Sequence, residues 1–194
     1  MYLQANGVTY HVWSSPARPA SKPPLVLLHG FTGSSENWQP ILPQLASPKR
    51  AVITLDILGH GRSSAPLDSA RYAMESVAAD VAHLLTSQLG LDQVDLLGYS
   101  MGGRLALGSA HFFPDLVRTL TLESASPGLA TAAERTERQA RDDSLADWIE
   151  ANGIRAFVDR WEQVPLFASQ TNLAADVRTR LRAQRLNNRR HGLA

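Results

Sequence analysis

Short apolar runs alternate with helical patterns through residues 1–126, and this alternation constrains the fold more than any other feature. Leu25–Leu28 is continuously apolar, as expected of a strand that helices cover on both faces, and Ala51–Leu55 and Val94–Leu97 have similar buried-strand patterns. Between them, Arg71–Leu89 places its apolar residues on one helical stripe. Strands that alternate with helices predict an α/β fold with a mostly parallel sheet and helices on both faces.

Other local patterns complete the first 126 residues. Asn6-Gly7 separates two extended runs, Met1–Ala5 and Val8–Trp13, and this dipeptide is the strongest short-range signal of a β-hairpin. The remaining predicted elements are a loop at Ser14–Pro24, helices at Ser35–Leu45 and Met101–Phe113, and a strand at Val117–Leu122.

The pattern changes at Pro127, after which no strand-like run occurs. Helical spacing predicts three helices, at about residues 131–150, 154–161 and 173–187. We therefore predict that residues 1–126 form a core and that residues 127–194 form a helical cap on it.

The composition argues against several classes of partner. The formal net charge is +1, so no global field would attract nucleic acid or an anionic membrane. No apolar run approaches the roughly 20 residues of a membrane span, and the N-terminal residues do not resemble a signal peptide. The lack of cysteine excludes disulfides and thiolate metal sites, so we expect a cytoplasmic protein without nucleic-acid or membrane partners.

The third apolar run leads directly into Gly98-Tyr99-Ser100-Met101-Gly102-Gly103. Glycines two residues before and after a serine permit a sharp turn from strand to helix, which exposes the serine hydroxyl above the sheet edge. The helix that begins there directs its N-terminal amides towards the hydroxyl and favours negative charge beside it. The motif therefore predicts that Ser100 is a nucleophile.

A second loop, His29-Gly30-Phe31-Thr32-Gly33, follows the first apolar run at the same sheet end. Acyl and enol chemistry both develop negative charge on an oxygen, and two preorganised N–H donors can stabilise it. The backbone N–H groups of Phe31 and Met101 are the predicted donors of this oxyanion hole. His29 and His60 are predicted to be structural.

These motifs, together with Asp56-Ile57-Leu58-Gly59-His60-Gly61, resemble the α/β-hydrolase superfamily. More specific features resemble one of its families, the 2-succinyl-6-hydroxy-2,4-cyclohexadiene-1-carboxylate (SHCHC) synthases of menaquinone biosynthesis. They are Arg104, four residues after the serine, Glu123–Leu129, Glu134-Arg135-x-x-Arg138, Trp161 with Pro165–Ser169, and Arg185-Leu186-Asn187-Asn188. The resemblance extends over nearly the whole chain.

The resemblance implies an α/β-hydrolase fold and a lyase that eliminates pyruvate from 2-succinyl-5-enolpyruvyl-6-hydroxy-3-cyclohexene-1-carboxylate. Its serine-centred triad would abstract a proton instead of hydrolysing an ester. The substrate carries several carboxylates, and the resemblance implies that Arg104, Arg138 and Arg185 bind them while Tyr99 and Trp161 line the pocket. The expected partner is a small polycarboxylate, and no metal or organic cofactor is implied.

Helical spacing supports two of these arginines. Arg138 lies seven residues before Leu145 of a predicted apolar stripe, and Arg185 is the next rung of an i, i+4 ladder formed by Leu173, Val177 and Leu181. An arginine on an apolar face binds a ligand carboxylate or pairs with a carboxylate of the cap, such as Asp142 or Glu162, and both alternatives stay open. The arginines off this ladder are predicted to be solvated: Arg178, Arg182, Arg189 and Arg190.

A serine nucleophile needs a base, and the base needs an acid to orient it. In an α/β-hydrolase the acid and then the histidine follow the serine, on loops after later strands, and none of the six histidines follows a late strand. We therefore expect the triad Asp and His, with the C-terminal core segment that carries them, to be absent, so that the chain alone is inactive. The strand at Val117–Leu122 would then offer an open edge to the missing segment or to self-association.

Two other functions stay open. An esterase or carbon–carbon bond hydrolase of the same fold would have a mainly apolar pocket without converging arginines. A non-catalytic binding protein would fit the missing acid and base, but it would gain nothing from an exposed serine on a strained turn.

Overall fold

The computed structural model describes residues 1–15 and 22–194, and most of the predicted loop Ser14–Pro24 lies outside the described residues. The strands are β1 Tyr2–Ala5, β2 Val8–Ser14, β3 Leu25–Leu28, β4 Val52–Leu55, β5 Val94–Tyr99 and β6 Val117–Glu123. They form one sheet in the spatial order β1-β2-β4-β3-β5-β6. β1 and β2 form an antiparallel hairpin, β2 pairs antiparallel with β4, and the other pairings are parallel. The predicted mostly parallel sheet is confirmed.

The carboxyl ends of β3 and β5 lie side by side near the centre of the sheet. Leu28, the last residue of β3, is in register with Gly98 near the end of β5, and Tyr99 is in register with Glu123 of β6. Parallel strands end at the same sheet edge, and loops at that edge are the usual ligand-binding position of open α/β sheets. The loops that follow β3 and β5 therefore emerge next to each other.

The core helices are α1 Leu42–Leu45, α2 Met74–His83, which continues as a π-helical turn at Leu84–Gln88, and α3 Met101–Phe112. The prediction of one helix over Ser35–Leu45 was wrong. A short 3₁₀ helix at Ser35–Trp38 ends before Pro40, and α1 begins only afterwards. Proline lacks an N–H donor and its ring clashes with the preceding turn, so a helix cannot run through this position undisturbed.

Residues beyond Pro127 form α4 Ala132–Trp161, a 3₁₀ segment Pro165–Asn172, α5 Ala175–Leu186 and α6 Arg190–Leu193. The predicted helices at 131–150 and 154–161 are two arms of α4, which bends at Gly153, where φ is 79°. Glycine adopts this left-handed conformation without the steric cost of a side chain. In the part of the chain that the structure describes, no helix has the length and apolar character needed to cross a membrane.

Apolar side chains cover both faces of the sheet. On one face, strand residues pack against α2 and α3, whereas Trp38 and Leu42 cover the other face. The helical part beyond Pro127, called here the cap, has its own buried cluster, which includes Ile149 and Phe157 and against which Phe31 packs. Most residues of β6 are exposed, and within 1–15 and 22–194 no strand pairs with its outer edge.

Candidate active site

Ser100 lies on the turn between β5 and α3, with φ 53° and ψ −115°. A non-glycine residue at positive φ is strained, typically by about 1–3 kcal/mol. The flanking glycines make the turn possible, because a Cβ at Gly98 would lie 2.2 Å from the Gly102 carbonyl oxygen and one at Gly102 would lie 2.3 Å from that of Leu28. The sharp turn predicted from the sequence is present, and it places Ser100 in the wall of a cavity.

The loop after β3 touches this turn. A Cβ at Gly30 would lie 3.3 Å from the Cβ of Ser100 and 2.9 Å from the ring of Tyr99, so glycine is needed for the approach. Among the described residues, neither the Phe31 N–H nor the Met101 N–H donates to a protein acceptor. Met101 is the first residue of α3, and the first N–H groups of a helix have no partner within it. Two amides without a partner among the described residues, one on the loop after β3 and one at the start of α3, therefore lie beside Ser100.

His29 supports this loop and does not contact the serine. Its Nε2 accepts a hydrogen bond from the Ile57 N–H at 2.9 Å, so its proton lies on Nδ1, which is 2.8 Å from the Gly30 carbonyl oxygen. Burial lowers the pKa of His29 and keeps the ring neutral. His60 is also buried and hydrogen-bonds within its own loop. The structural roles predicted for both histidines agree with these contacts.

Asp56, directly after β4, holds two core loops in place. Its carboxylate accepts hydrogen bonds from the backbone N–H groups of Ser35 at 2.7 Å and Arg62 at 2.9 Å. Burial alone would raise the pKa of Asp56, but these donors more than offset that effect and hold the pKa below its ordinary value. Asp56 is thus an ionised structural residue.

A cavity of about 770 Å³ lies between the core loops and the cap. This volume is within the range of pockets that bind small molecules, roughly 300–1,000 Å³. Residues from β5, α3, α4 and α5 meet in its wall. Its lining includes all eight residues that the sequence analysis singled out: Phe31, Tyr99, Ser100, Met101, Arg104, Arg138, Trp161 and Arg185.

The three arginines of the cavity differ in their partners. The Nε of Arg138 lies 2.8 Å from each carboxylate oxygen of Asp142, which leaves its two terminal nitrogens without a partner in the described part of the chain. Arg185 is buried, and its two terminal nitrogens donate to Glu162 at 3.0 Å and to Gln170 at 2.9 Å. Arg104 is exposed, and no described carboxylate lies within ion-pair distance of it.

Both cap arginines therefore form the intramolecular pairs that the sequence analysis left open as an alternative. Of the three arginines in the cavity, Arg104 is the one whose charge is not balanced by a neighbouring carboxylate among the residues described. Arg138 is intermediate, since its pair with Asp142 is exposed and occupies one nitrogen only. Such an exposed pair contributes little to stability and leaves the guanidinium able to bind a second anion.

The prediction that Arg182 is solvated was wrong. Arg182 pairs with Asp159 and, at 2.6 Å, with Glu162, so it joins α5 to the end of α4. Spacing along α5 alone could not reveal this contact, because the partners lie on another helix. Arg178, Arg189 and Arg190 are exposed, as predicted, although Arg190 also forms an ion pair with Glu150 at 3.2 Å.

Aromatic side chains form the wall between the cavity and the cap interior. The ring of Trp161 lies 5.5 Å from that of Phe31, 5.4 Å from that of Phe157 and 5.5 Å from that of Phe167. The side chain of Phe31 therefore joins the loop after β3 to the cap. Tyr99 is 39% exposed, so its ring is accessible in the cavity wall.

No described histidine is placed to accept a proton from Ser100. His29 is the histidine that lines the cavity, and both its nitrogens already form hydrogen bonds. Within 1–15 and 22–194, His, Asp and Glu residues also form no cluster of three that could hold a metal ion. The described site therefore contains the serine turn, the backbone amides of Phe31 and Met101 and the arginines, without a histidine placed to act as the base.

Sequence reasoning missed several polar residues of the cavity and its rim. Gln170 bonds to Arg185, Gln184 bonds to the loop after β3, and Glu123 at the end of β6 lines the cavity. Asn188 is buried and bonds to two core loops. One signal was available in the sequence. Gln184 and Asn188 are four residues apart, so helical spacing places them on one face, but two amide side chains at this spacing form no recognised chemical motif.

Comparison with known proteins agrees with this architecture. Residues 23–190 match the family model described as the alpha/beta hydrolase fold. The chain belongs to the α/β-hydrolase-fold family, in which a serine often stands on a sharp turn between a strand and a helix, as Ser100 does here.

Several relatives of this chain belong to one family within the α/β-hydrolase fold. A Bacillus subtilis protein, provisionally named a 2-succinyl-6-hydroxy-2,4-cyclohexadiene-1-carboxylate synthase, is 46% identical over 98% of this chain and 68% of its own length. The synthase of that name from Salmonella typhimurium is 35% identical over 90% of this chain and 66% of its own length. MenH from S. aureus superposes with a TM-score of 0.86 at 32% identity, covering 94% of this chain and 68% of that one.

Within the α/β-hydrolase fold, the chain therefore belongs to the family of SHCHC synthases, which are enzymes. It spans about two thirds of the length of these relatives.

Proposed function

We propose that the cavity is the site of pyruvate elimination from 2-succinyl-5-enolpyruvyl-6-hydroxy-3-cyclohexene-1-carboxylate, which gives SHCHC in menaquinone biosynthesis. The observation that supports this best is the meeting of Ser100 and three arginines in one cavity. A cavity that carries guanidinium groups beside a nucleophile suits a substrate with several carboxylates. The same synthase name is carried by relatives of this chain.

Ser100 would act as the group through which a proton leaves the substrate carbon. As that C–H bond breaks, its electrons form a new carbon–carbon double bond, and the carbon–oxygen bond to the enolpyruvyl group breaks. The electrons of the broken carbon–oxygen bond leave with this group as the enolate of pyruvate, which takes up a proton at carbon to become pyruvate. Negative charge develops on substrate oxygen during the step, and the unpaired N–H groups of Phe31 and Met101 would stabilise it. Donors of this kind contribute about 3–4 kcal/mol to the transition state when they are preorganised.

Arg104 and Arg138 would bind substrate carboxylates directly. Arg104 has no ion pair within the described residues, and Arg138 has two free terminal nitrogens, so each can donate to a new anion without first losing a partner. Arg185 would reach a carboxylate only by sharing its guanidinium with Glu162. Tyr99 and Trp161 would supply the walls that hold the carbocyclic ring.

The base and its orienting acid would come from residues other than those described. The open edge of β6 is the place where a further parallel strand could pair, and a loop at the end of such a strand would emerge on the same sheet edge as Ser100. We propose that a strand from outside the described residues, together with the loop that would carry the base, pairs with the β6 edge, in preference to a second copy of the chain. A cytoplasmic location is also part of the proposal, because the chain has no cysteine that an oxidising compartment could use.

Binding of the carboxylate-rich precursor to the chain, measured by calorimetry, tests the arginine assignment without requiring turnover. Arg104→Ala should weaken binding by about 1.5–3 kcal/mol, the usual contribution of a hydrogen bond to a charged group. Arg180→Ala is the matched control, because Arg180 is exposed and its ion-pair partner among the residues described is Asp176, one turn away. Equal affinities for the two variants would contradict the proposal and favour an esterase with an apolar pocket.

A further inference from the structure

Three residues spaced four apart in the cap, Gln184, Asn188 and Gly192, contact the core loops and are called here the cap stripe. Gln184 Nε2 donates to the Ser34 hydroxyl at 2.7 Å. Gly192 packs so closely that a Cβ on it would lie 2.1 Å from the Gly59 carbonyl oxygen. The cap stripe therefore touches both the loop after β3 and the loop after β4.

Asn188 is the central residue of the cap stripe and joins the two loops directly. It is 4% exposed. Its Nδ2 donates to the Thr32 carbonyl oxygen at 2.9 Å, while its Oδ1 accepts from the Gly61 N–H at 2.9 Å. A carboxamide provides a donor and an acceptor at once, and an apolar replacement would leave both loop groups buried without a partner.

Thr32, the acceptor of this bond, is the strained residue of the loop. Its φ is 66° although it is β-branched and buried, a combination that persists only where surrounding contacts enforce it. Thr32 follows Phe31, and the Gly33 N–H closes the same turn on the Gly30 carbonyl oxygen at 3.0 Å. The direction of the Phe31 N–H thus depends on a turn whose strained residue is held from the cap.

We propose that Asn188 is a positioning residue, which fixes the Phe31 N–H in its oxyanion-binding direction by holding the Thr32 carbonyl. The proposal rests on the proposed function in one respect, namely that this N–H stabilises developing charge. The same Nδ2 also lies 3.2 Å from the Arg185 carbonyl oxygen, so a movement of α5 is transmitted to the loop through one side chain.

Amide hydrogen exchange in the chain tests this without requiring turnover. In Asn188→Ala, the Gly33 N–H should exchange about tenfold to a hundredfold faster, as expected when a buried bond is lost and its partner is left unpaired. Asn188→Asp keeps the acceptor for Gly61 but loses the donor to Thr32. It should therefore release Gly33 to the same extent while the Gly61 N–H stays protected.

Asn187→Ala is the matched control, because Asn187 is the same residue type at the next position and is exposed. It should leave both amides unchanged, and the buried Leu27 amide of β3 should report on global opening in every variant. The proposal is overturned if Gly33 keeps its protection in Asn188→Ala, or if Leu27 accelerates by the same factor.

Kinetics separate positioning from a merely structural role. When the chain is combined with the segment that supplies its base, Asn188→Ala should lower kcat for pyruvate release by about tenfold or more, since removal of an oxyanion donor costs roughly 10²–10³. KM should be retained, because Asn188 bonds to neither Arg104 nor Arg138, the two arginines proposed to bind carboxylates directly. A raised KM with unchanged kcat would contradict the assignment. Absence of pyruvate release by the unmodified enzyme would count against the proposed function, and the exchange rates of Gly33 would still decide the role of Asn188.

Discussion

Buried neutral histidines should make this protein lose stability in mild acid. Burial, with a smaller effect of the neighbouring His29, lowers the pKa of His60 to about 3, from an ordinary value of 6.5. The unfolded chain therefore takes up a proton near pH 6.5, whereas the folded chain does not do so until about pH 3. Between these values the unfolded state binds more protons, so the free energy of unfolding must fall as the pH falls.

The size of this effect follows from the two pKa values. Between pH 7 and pH 5, His60 alone should remove about 2 kcal/mol, because each unit of pH well below the unfolded pKa is worth about 1.4 kcal/mol. Burial also lowers the pKa of His29 and His11, so they add to the loss in the same direction. Asp56 does not contribute in this window, because its pKa is lowered and its protonation requires more acid.

Urea denaturation at pH 7 and pH 5 measures the effect in the wild type and in His60→Gln. The variant, which has no proton to take up at this position, should lose about 2 kcal/mol less than the wild type between the two pH values. His111→Gln is the matched control, since His111 is exposed on α3, and it should behave like the wild type. An equal loss in the wild type and His60→Gln would refute the account of a neutral, buried ring.

Other substitutions test the turn and the cap. Gly102→Ala should destabilise the protein by about 3 kcal/mol in urea denaturation, because the added Cβ meets backbone oxygen of the loop after β3. Arg182→Ala should lower Tm through a loss of about 0.5–1 kcal/mol, a modest value since the ion pairs with Asp159 and Glu162 are partly exposed. Asp142→Asn should tighten binding of the carboxylate-rich precursor about threefold in calorimetry, because it removes an exposed anion that competes for Arg138; weaker binding would contradict this.

The strands and the serine turn could be predicted because their determinants are local. A run such as Leu25–Leu28 shows burial on both faces by its own composition, and the glycines around Ser100 are required by clashes within the turn itself. The register of β3 with β5 then places the loop with Phe31 beside the serine. Local patterns therefore sufficed for the centre of the site.

The polar contacts between cap and core could not be predicted in the same way. Arg182 and Glu162 meet because the end of α4 packs beside α5, and α4 reaches that position only after its bend at Gly153. Asn188 finds its partners, Thr32 and Gly61, more than a hundred residues away along the chain. Such contacts depend on tertiary packing, for which helical periodicity gives no direct signal.

Release of pyruvate from 2-succinyl-5-enolpyruvyl-6-hydroxy-3-cyclohexene-1-carboxylate tests the central claim most directly. It should be measured with the purified chain alone and together with the part of the Bacillus subtilis relative that this chain does not match, beside the hydrolysis of a simple ester. We predict no release by the chain alone, release once the added segment supplies a base, and loss of that release in Ser100→Ala. Release that persists in Ser100→Ala, or rapid ester hydrolysis without any pyruvate, would contradict the account.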